Sequence, residues 1–201
     1  MLSRRLAVNS KTKSIYSGKH TLIHVLHTVC YIQDLDFYRN DDFSKLESLE
    51  VGKTYVEAKG EIIEYIHICE YATGMARGAC GAKIPSEREN HQLEEIWNPM
   101  GVTGVITAFN FPIAVYGWNA AIAMYCGNSM LWKPPPTSTL TSIAVQNICA
   151  KVLEENGYNP AVCSFVAGGA EIGASIAQVC DIKILSVQTS FTETEIGRLN
   201  F

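Results

Sequence analysis

The chain has 201 residues and a formal net charge of −4, with 47% hydrophobic and 18% charged residues. This composition is typical of a soluble globular protein and excludes a largely disordered one. The length allows one ordinary domain with an additional arm. We expect neither nucleic acid nor a membrane as a partner, because the chain has no basic surplus and no apolar run of roughly 18 residues.

Residues 1–42 are predicted to form an N-terminal arm of uncertain structure. Five basic residues precede the first acidic one, Asp34, and several Ser and Thr residues lie among them. This composition loosely resembles a mitochondrial targeting segment, but its helical Arg pattern is weak, which favours a disordered or poorly conforming arm. Seven cysteines without CxxC pairs indicate a reducing compartment. We therefore expect the protein in the cytoplasm or the mitochondrion.

A regular pattern begins after the arm. Residues 43–51 predict a short helix that Gly52 ends, and residues 57–79 predict a longer helix. Glycines and a proline then break the chain. Residues 91–97 predict a strand.

Strands and helices alternate over the rest of the chain. Strands are predicted at residues 102–109, 129–133, 162–167 and 182–187, and helices at residues 112–126, 138–156 and 170–179. In the helix predicted at residues 138–156, the residues expected on the buried side are Leu140, Ile143, Ala144, Cys149 and Val152. Alternation at this spacing predicts an α/β fold with a doubly wound, Rossmann-like parallel sheet.

Two phosphate-binding motifs are excluded. Gly52-Lys53-Thr54 resembles the end of a phosphate-binding loop, but position 47 is Glu where that loop needs Gly. The GxGxxG dinucleotide fingerprint is absent, because Gly168-Gly169 and Gly173 have a different spacing. Any nucleotide must be bound in another way.

A group of histidines lies in the arm. If the segment is helical, one face carries His20, His24, His27 and Cys30. These residues would span about 15 Å, so at most a neighbouring pair could share one ion. We expect no metal site there.

The most informative segment is residues 104–112, with the sequence GVITAFNFP. An apolar, β-branched stretch is followed by an amide, an aromatic ring and a proline that can begin a helix. This order places Asn110 on the turn between a buried parallel strand and its helix, where open α/β sheets bind ligands. Considered without the surrounding strings, an Asn at this position is more often a turn or capping residue.

From about residue 46 to residue 177 the chain resembles the aldehyde dehydrogenase superfamily. The supporting strings, in the family's order, are SLEVGK (48–53), PSER (85–88), WNP (97–99), ITAFNFPIAVYGWNAAIAMYC (106–126), WK (132–133) and GGAEIG (168–173). The resemblance implies a partial NAD-binding domain over residues 43–201. It also implies NAD-dependent oxidation of an aldehyde or semialdehyde to the carboxylic acid.

The resemblance assigns roles to residues within these strings. Asn110 would be the catalytic oxyanion-hole residue, whose amide N–H stabilises the charge formed when a cysteine thiolate attacks the aldehyde. Lys133 would donate to the adenosine ribose of NAD, with an ordinary loop lysine as the alternative. The other predicted cofactor contacts, for which core packing is the alternative, are Thr107, Ala108, Phe109, Gly173 and Ala174.

Two strings of the family are absent from the 201 residues. In the family, the nucleophile lies in a Gly-Gln-x-Cys string and the general base precedes a Leu-Gly-Gly string. Gln178-Val179-Cys180 resembles part of the first string, but it comes at the end of the helix after Gly173, which is too early in the order of the fold. The family's Phe-Thr-Gly-Ser-Thr string has Thr189-Ser190 or Ser190-Phe191-Thr192 as its counterpart. We therefore expect the chain alone to be inactive.

Three hypotheses follow for the function. The chain represents an NAD-dependent aldehyde dehydrogenase as a fragment, splice form or incomplete gene model. Alternatively, it is a non-catalytic nucleotide-binding or subunit-interaction module, or a remnant that does not fold stably. The resemblance implies a small-molecule aldehyde substrate and a homo-oligomer or association with full-length subunits.

Overall fold

The computed structural model describes residues 40–75, 78, 81–179 and 181–188. The predicted targeting segment, the histidines of the arm and the alternatives at residues 189–192 lie outside these ranges. No helix of the described ranges is long and apolar enough to cross a membrane.

In the described ranges two helices precede the sheet, α1 (Asn40–Val51) and α2 (Tyr55–Met75). Gly52 ends α1 with a φ of 81°, a left-handed conformation that favours glycine. Its N–H donates to the Ser48 carbonyl at 3.0 Å, which satisfies one of the last carbonyls of the helix. Both predicted helices are present, although α1 begins three residues and α2 two residues earlier than expected, and Gly78, within the second predicted range, lies in a turn.

A small antiparallel sheet follows, formed by β1 (Lys83–Pro85) and β2 (Gln92–Glu94). The predicted strand at residues 91–97 is thus shorter than expected. The pattern does not predict β1, because Pro85 indicates a break, although proline is tolerated in edge strands. All six strand residues are exposed, so no alternation of buried and polar residues marks them.

The main sheet has four parallel strands in the order β5-β4-β3-β6. The strands are β3 (Val102–Ile106), β4 (Ser129–Lys133), β5 (Cys163–Phe165) and β6 (Ile182–Val187), and the connecting helices are α3 (Pro112–Tyr125), α4 (Thr139–Glu155) and α5 (Ala170–Ala177). The predicted α/β fold with a parallel sheet is confirmed. The strands at residues 102–109 and 162–167 are shorter than predicted.

Helices lie on both faces of the sheet. Val105 belongs to the main core, which joins α2, α3 and α4 to one face. On the opposite face, a Cβ at Gly104 would lie 2.8 Å from Leu185 Cδ1 and 3.3 Å from Ile176 Cγ2 of α5. The close packing of Leu185 and Ile176 over this face therefore favours glycine at this position. The doubly wound arrangement is confirmed.

Large aromatic side chains fill the main core. Trp132 of β4 and Tyr116 of α3 are fully buried, and their rings stack with centroids 3.8 Å apart. Tyr65 of α2 packs edge-on against Tyr116, with centroids 6.2 Å apart. The described free cysteines are Cys69, Cys149 and Cys163, which are buried, and Cys126, which is exposed. Buried free thiols agree with the absence of a disulfide framework in the described ranges.

The predicted buried side of α4 is confirmed only in part. Cys149 and Val152 are buried, but Leu140 and Ile143 are 61% and 39% exposed, so the prediction for these two is wrong. The first turn instead buries two hydrogen-bonded hydroxyl residues, Thr141 and Ser142. A periodicity that counts only apolar residues misses this face, because a hydroxyl can be buried once it is hydrogen-bonded.

Candidate functional site

The carboxyl ends of three strands define a crevice at one edge of the sheet. Ile106 at the end of β3 pairs with Lys133 of β4 on one side and with Val187 of β6 on the other. The chain adds β4 and β5 on one side of β3 and then adds β6 on the opposite side. Open α/β sheets bind ligands where the strand order reverses in this way. The predicted residues 107–110 and Lys133 lie at this edge.

Thr107 and Ala108 are buried directly after β3. The N–H of Thr107 donates to the Lys133 carbonyl at 3.2 Å, and its Oγ1 accepts a hydrogen bond from Trp132 Nε1 at 3.0 Å. The Thr107 hydroxyl is therefore used within the core, as the packing alternative expects.

The next residues are exposed. Phe109 and Phe111 are 52% and 47% exposed, and Asn110 between them is also exposed. Among the described residues, no group forms a hydrogen bond with the side-chain amide of Asn110, which leaves its N–H donors free for a ligand. Asn110 therefore has the exposure and the free donors that an oxyanion contact needs.

A glutamate from another helix caps the start of α3. Pro112 has no N–H, and Phe111 at the N-cap provides no side-chain hydrogen bond. The backbone N–H groups of Ile113 and Ala114 both donate to Glu61 Oε1 of α2, at 2.7 and 2.9 Å. The Glu61 carboxylate thus replaces the usual N-cap side chain and complements the positive end of the helix dipole.

Lys53, between α1 and α2, connects this carboxylate to the Asn110 turn. Its Nζ donates to Glu61 Oε2 and to the Asn110 backbone carbonyl, the latter at 2.7 Å. It also lies 3.0 Å from Glu47 Oε1 and 5.0 Å from the centroid of the Phe111 ring. An ammonium group has three N–H donors, so three oxygens match its capacity.

Charge in this cluster is balanced by a proton. Burial, and then the neighbouring Glu61 carboxylate, raises the pKa of Glu47 to about 8, against the opposing effect of Lys53. Burial acts to lower the pKa of Lys53, but its hydrogen bonds to Glu61 and Glu47 outweigh this and raise it. Lys53 therefore stays cationic at neutral pH, while Glu47 stays largely protonated.

A second glutamate from this part of the chain caps α4. Glu50 accepts hydrogen bonds from the backbone N–H groups of Leu140 and Thr141, both at 2.7 Å. The N-cap residue, Ser138, makes no side-chain capping bond. Carboxylates therefore already occupy the starts of α3 and α4, the positions at which helices often bind phosphate.

Lys133 and Gly173 meet on the other side of the crevice. Lys133 is 6% exposed, and a Cβ at Gly173 would lie 3.7 Å from its Cδ and 3.6 Å from Ile106 Cδ1. Burial lowers the pKa of Lys133, and the Glu171 carboxylate opposes this shift. The neighbouring Ala174 is half-buried.

Lys133 has donors left for a ligand. Within the described ranges its Nζ makes one hydrogen bond, to the Pro134 carbonyl at 3.2 Å. Two of its three N–H donors are therefore free, which fits a contact with ribose hydroxyls. The same ranges contain no group of three or more His, Cys, Asp or Glu side chains that could hold a metal ion.

No sequence motif predicted a role for Lys53, Glu47 or Glu61. One signal was present for Glu61, which lies among the buried positions of α2 together with Ala58, Ile62, Tyr65, Cys69 and Ala72. A charged residue on an otherwise apolar helix face indicates a buried partner. Its partner, Lys53, gave no comparable signal in the sequence, because it lies in an ordinary connection between two helices.

The family follows from a comparison with known protein families. A family model described as the aldehyde dehydrogenase family matches residues 31–198. The chain belongs to the aldehyde dehydrogenase family. The resemblance predicted from the sequence strings is confirmed, and the matched range begins within the predicted arm.

Curated relatives agree with this aldehyde dehydrogenase assignment. The alpha-aminoadipic semialdehyde dehydrogenase of Bos taurus is 52% identical over 153 residues, which are 76% of this chain and 28% of that protein. The same strings predict likeness to antiquitin, which is an alpha-aminoadipic semialdehyde dehydrogenase, and this is confirmed. The chain spans less than a third of the length of the first curated relatives.

Solved structures share the fold of this aldehyde dehydrogenase chain. Glyceraldehyde-3-phosphate dehydrogenase from Methanocaldococcus jannaschii, complexed with NADP, aligns with a TM-score of 0.82 and 20% identity over 94% of this chain and 40% of that chain. Betaine aldehyde dehydrogenase from Staphylococcus aureus, complexed with NAD+, aligns with a TM-score of 0.77 and 23% identity over 88% of this chain and 34% of that chain. Both confirm the α/β fold.

Proposed function

We propose that the chain provides the cofactor-binding part of an NAD-dependent aldehyde dehydrogenase that oxidises an aldehyde or semialdehyde to the carboxylic acid. The observation that carries the proposal is the exposed Asn110 side-chain amide, which has no hydrogen-bond partner among the described residues and lies at the crevice of a chain in this family. Family membership favours this function over a non-catalytic nucleotide-binding module.

Asn110 would act on the charge that develops at the aldehyde oxygen. When a thiolate adds to the carbonyl carbon, the oxygen becomes negative, and a fixed amide donor stabilises it without changing its own protonation state. One such donor is worth about 10²–10³ in kcat. The strings that carry the nucleophile and the base in the family are absent from the 201 residues. We propose that a longer protein or a full-length subunit provides them.

Lys133 and Glu171 support NAD as the cofactor. The buried Lys133 ammonium has free donors at the edge of the sheet, and bound NAD would supply the hydride acceptor. Glu171 lies close enough to act electrostatically on Lys133. A carboxylate beside the ribose position would repel the additional phosphate of NADP, so we propose a preference for NAD.

Calorimetric titration of the purified 201-residue chain with NAD and NADP tests this proposal. We expect saturable NAD binding, weaker NADP binding and a loss of about tenfold or more in NAD affinity for Lys133→Ala, because a charged hydrogen-bond donor is removed. Lys151→Ala, at an exposed lysine of α4, is the matched control and should bind as the wild type does. Absence of NAD binding, or equal affinity in Lys133→Ala, would contradict the proposed site.

The same preparation tests the missing chemistry. With NAD and an aldehyde present, we expect the chain alone to produce no NADH, since thiohemiacetal formation must precede hydride transfer. NADH production with no longer homologue in the sample would show that a cysteine within these 201 residues acts as the nucleophile.

Exposed apolar side chains also favour association with other subunits. Leu49, Val56 and Trp97 are 84%, 77% and 74% exposed. We propose that a second copy of the chain or a full-length subunit covers such residues. Light scattering after size-exclusion chromatography tests this, and a strictly monomeric chain that does not bind a full-length relative would refute it.

A further inference from the structure

We propose that Lys53 is a positioning residue for Asn110, and that its ammonium orients the oxyanion donor by binding the Asn110 backbone carbonyl. This inference rests on the proposed function, because orientation of the amide matters only if it receives an oxyanion. Lys53 itself does not touch the reacting atoms in this proposal. It acts through the turn that carries Asn110.

The turn has little else to fix it. In the described part of the chain, the only hydrogen bond of Asn110 is the one that its carbonyl accepts from Lys53 at 2.7 Å. The flanking side chains of Phe109 and Phe111 are about half exposed, and the Phe111 ring centroid lies 5.0 Å from Lys53 Nζ, so Lys53 contacts the turn at a second point. Loss of the Lys53 bond would free the peptide unit after Asn110 to rotate, and the amide group would move with it.

The ammonium is itself held from two sides. Lys53 is 12% exposed and lies between the buried carboxyl groups of Glu47 and Glu61, at 3.0 Å from the first. Glu61 binds Lys53 with one oxygen and the first N–H groups of α3 with the other. One carboxylate therefore fixes both the start of α3 and the lysine that binds Asn110, two residues before that helix.

The geometry is specific for a compact cation. The ammonium of Lys53 meets oxygens of three different residues, whereas a guanidinium presents its donors in one planar fork. Lys53→Arg keeps the charge but does not match this arrangement. An ion pair that only stabilised the fold would tolerate Arg better than a positioning contact would.

Nuclear magnetic resonance of the 201-residue chain tests the inference. We expect Lys53→Met to shift the Asn110 carbonyl carbon signal and to broaden or shift its side-chain amide signals, with a smaller effect in Lys45→Met. Lys45 is the matched control, an exposed lysine of α1 that pairs with Asp42 at 3.8 Å. If Lys53 only stabilises the fold, Lys53→Met should lower the urea midpoint but leave the Asn110 signals of the folded chain unchanged. That result would overturn the inference.

Glu61 variants separate the helix cap from the lysine contact. Glu61→Ala should speed amide exchange at Ile113 and Ala114 by about tenfold, the effect of losing a helix cap. Lys53→Met should leave these two exchange rates within about threefold of the wild type, because Glu61 remains to cap the helix. If Lys53→Met instead matches Glu61→Ala at both amides, Lys53 acts on the helix and not on Asn110, and the inference fails.

A measurement on the wild type covers the case in which Lys53→Met does not fold. A hydrogen bond from Lys53 Nζ to the Asn110 carbonyl should give a slowly exchanging ammonium signal with scalar coupling to the Asn110 carbonyl carbon. Absence of that coupling would overturn the inference while leaving NAD binding intact. Conversely, if the coupling is present but NAD does not bind, the proposed function fails and the turn geometry stands.

Discussion

Glu47→Gln should remove a pH dependence of the stability of the chain. Glu47 is fully buried beside Lys53 and Glu61, and its pKa in the folded chain is about 8. Its ordinary value, which applies to the unfolded chain, is 4.5. Between these two values the folded chain binds one proton more than the unfolded chain. The free energy of unfolding must therefore fall as the pH rises through this range.

The magnitude follows from the two pKa values. Stabilisation by the bound proton is fully present below pH 4.5 and is lost as the pH rises through about 8. The slope is at most about 1.4 kcal/mol per pH unit. From pH 6 to pH 8 the wild-type chain should lose about 2 kcal/mol of unfolding free energy through Glu47. Glu47→Gln carries no titrating proton at this position and should not show this loss.

Urea unfolding at pH 6, 7, 8 and 9 measures this difference. Fluorescence reports on Trp132, which is fully buried, whereas Trp97 and Trp118 are already 74% and 46% exposed. Glu64→Gln is the matched control, because Glu64 lies on the exposed side of the same helix as Glu61. Taking the difference between each variant and the wild type cancels other titrating groups. Equal pH slopes in the wild type and Glu47→Gln would refute the reasoning.

Two further variants test packing and capping. Gly117→Ala should lower the free energy of unfolding by about 1–3 kcal/mol in the same urea assay, because its Cβ would lie 2.1 Å from Tyr65 Cδ2. Gly60→Ala is the control. It lies on an open side of α2 and should be neutral or stabilising. Glu50→Ala should cost about 1–2 kcal/mol and speed amide exchange at Leu140, which loses its acceptor. Glu50→Gln keeps an acceptor and should show a smaller change; equal effects would contradict the capping role.

The sheet could be predicted well where apolar runs have clear boundaries. The strands β4 and β6 occupy the predicted residues, because Gly127 and Pro134 limit the first and each strand contains a short apolar run, residues 130–132 in β4 and residues 184–185 in β6. The exposed strand β1 could not be predicted, because no side chain in it is buried. The face of α4 was assigned wrongly at Leu140 and Ile143, because buried hydroxyls do not register as apolar.

The candidate site was predictable only where it is local in sequence. Asn110 lies between a strand and a proline that begins a helix, so its position at the crevice follows from neighbouring residues. The contact between Lys53 and Asn110 joins residues 57 positions apart, and no local pattern connects them. The resemblance to aldehyde dehydrogenases named the amide and the ribose lysine, but the groups that hold the turn required the structure.

The glutamates of α1 and α2 also constrain the order in which the chain can fold. Glu61 and Glu50 bind backbone groups 52 and 90 residues later in the sequence. During synthesis both carboxylates leave the ribosome long before α3 and α4 exist, so these contacts cannot guide the first steps of folding. Contacts that close such long loops form slowly. We therefore expect α1 and α2 to dock onto the sheet only after its strands and connecting helices have assembled. The residues of α1 and α2, although made before those of the sheet, would then reach their native positions after them.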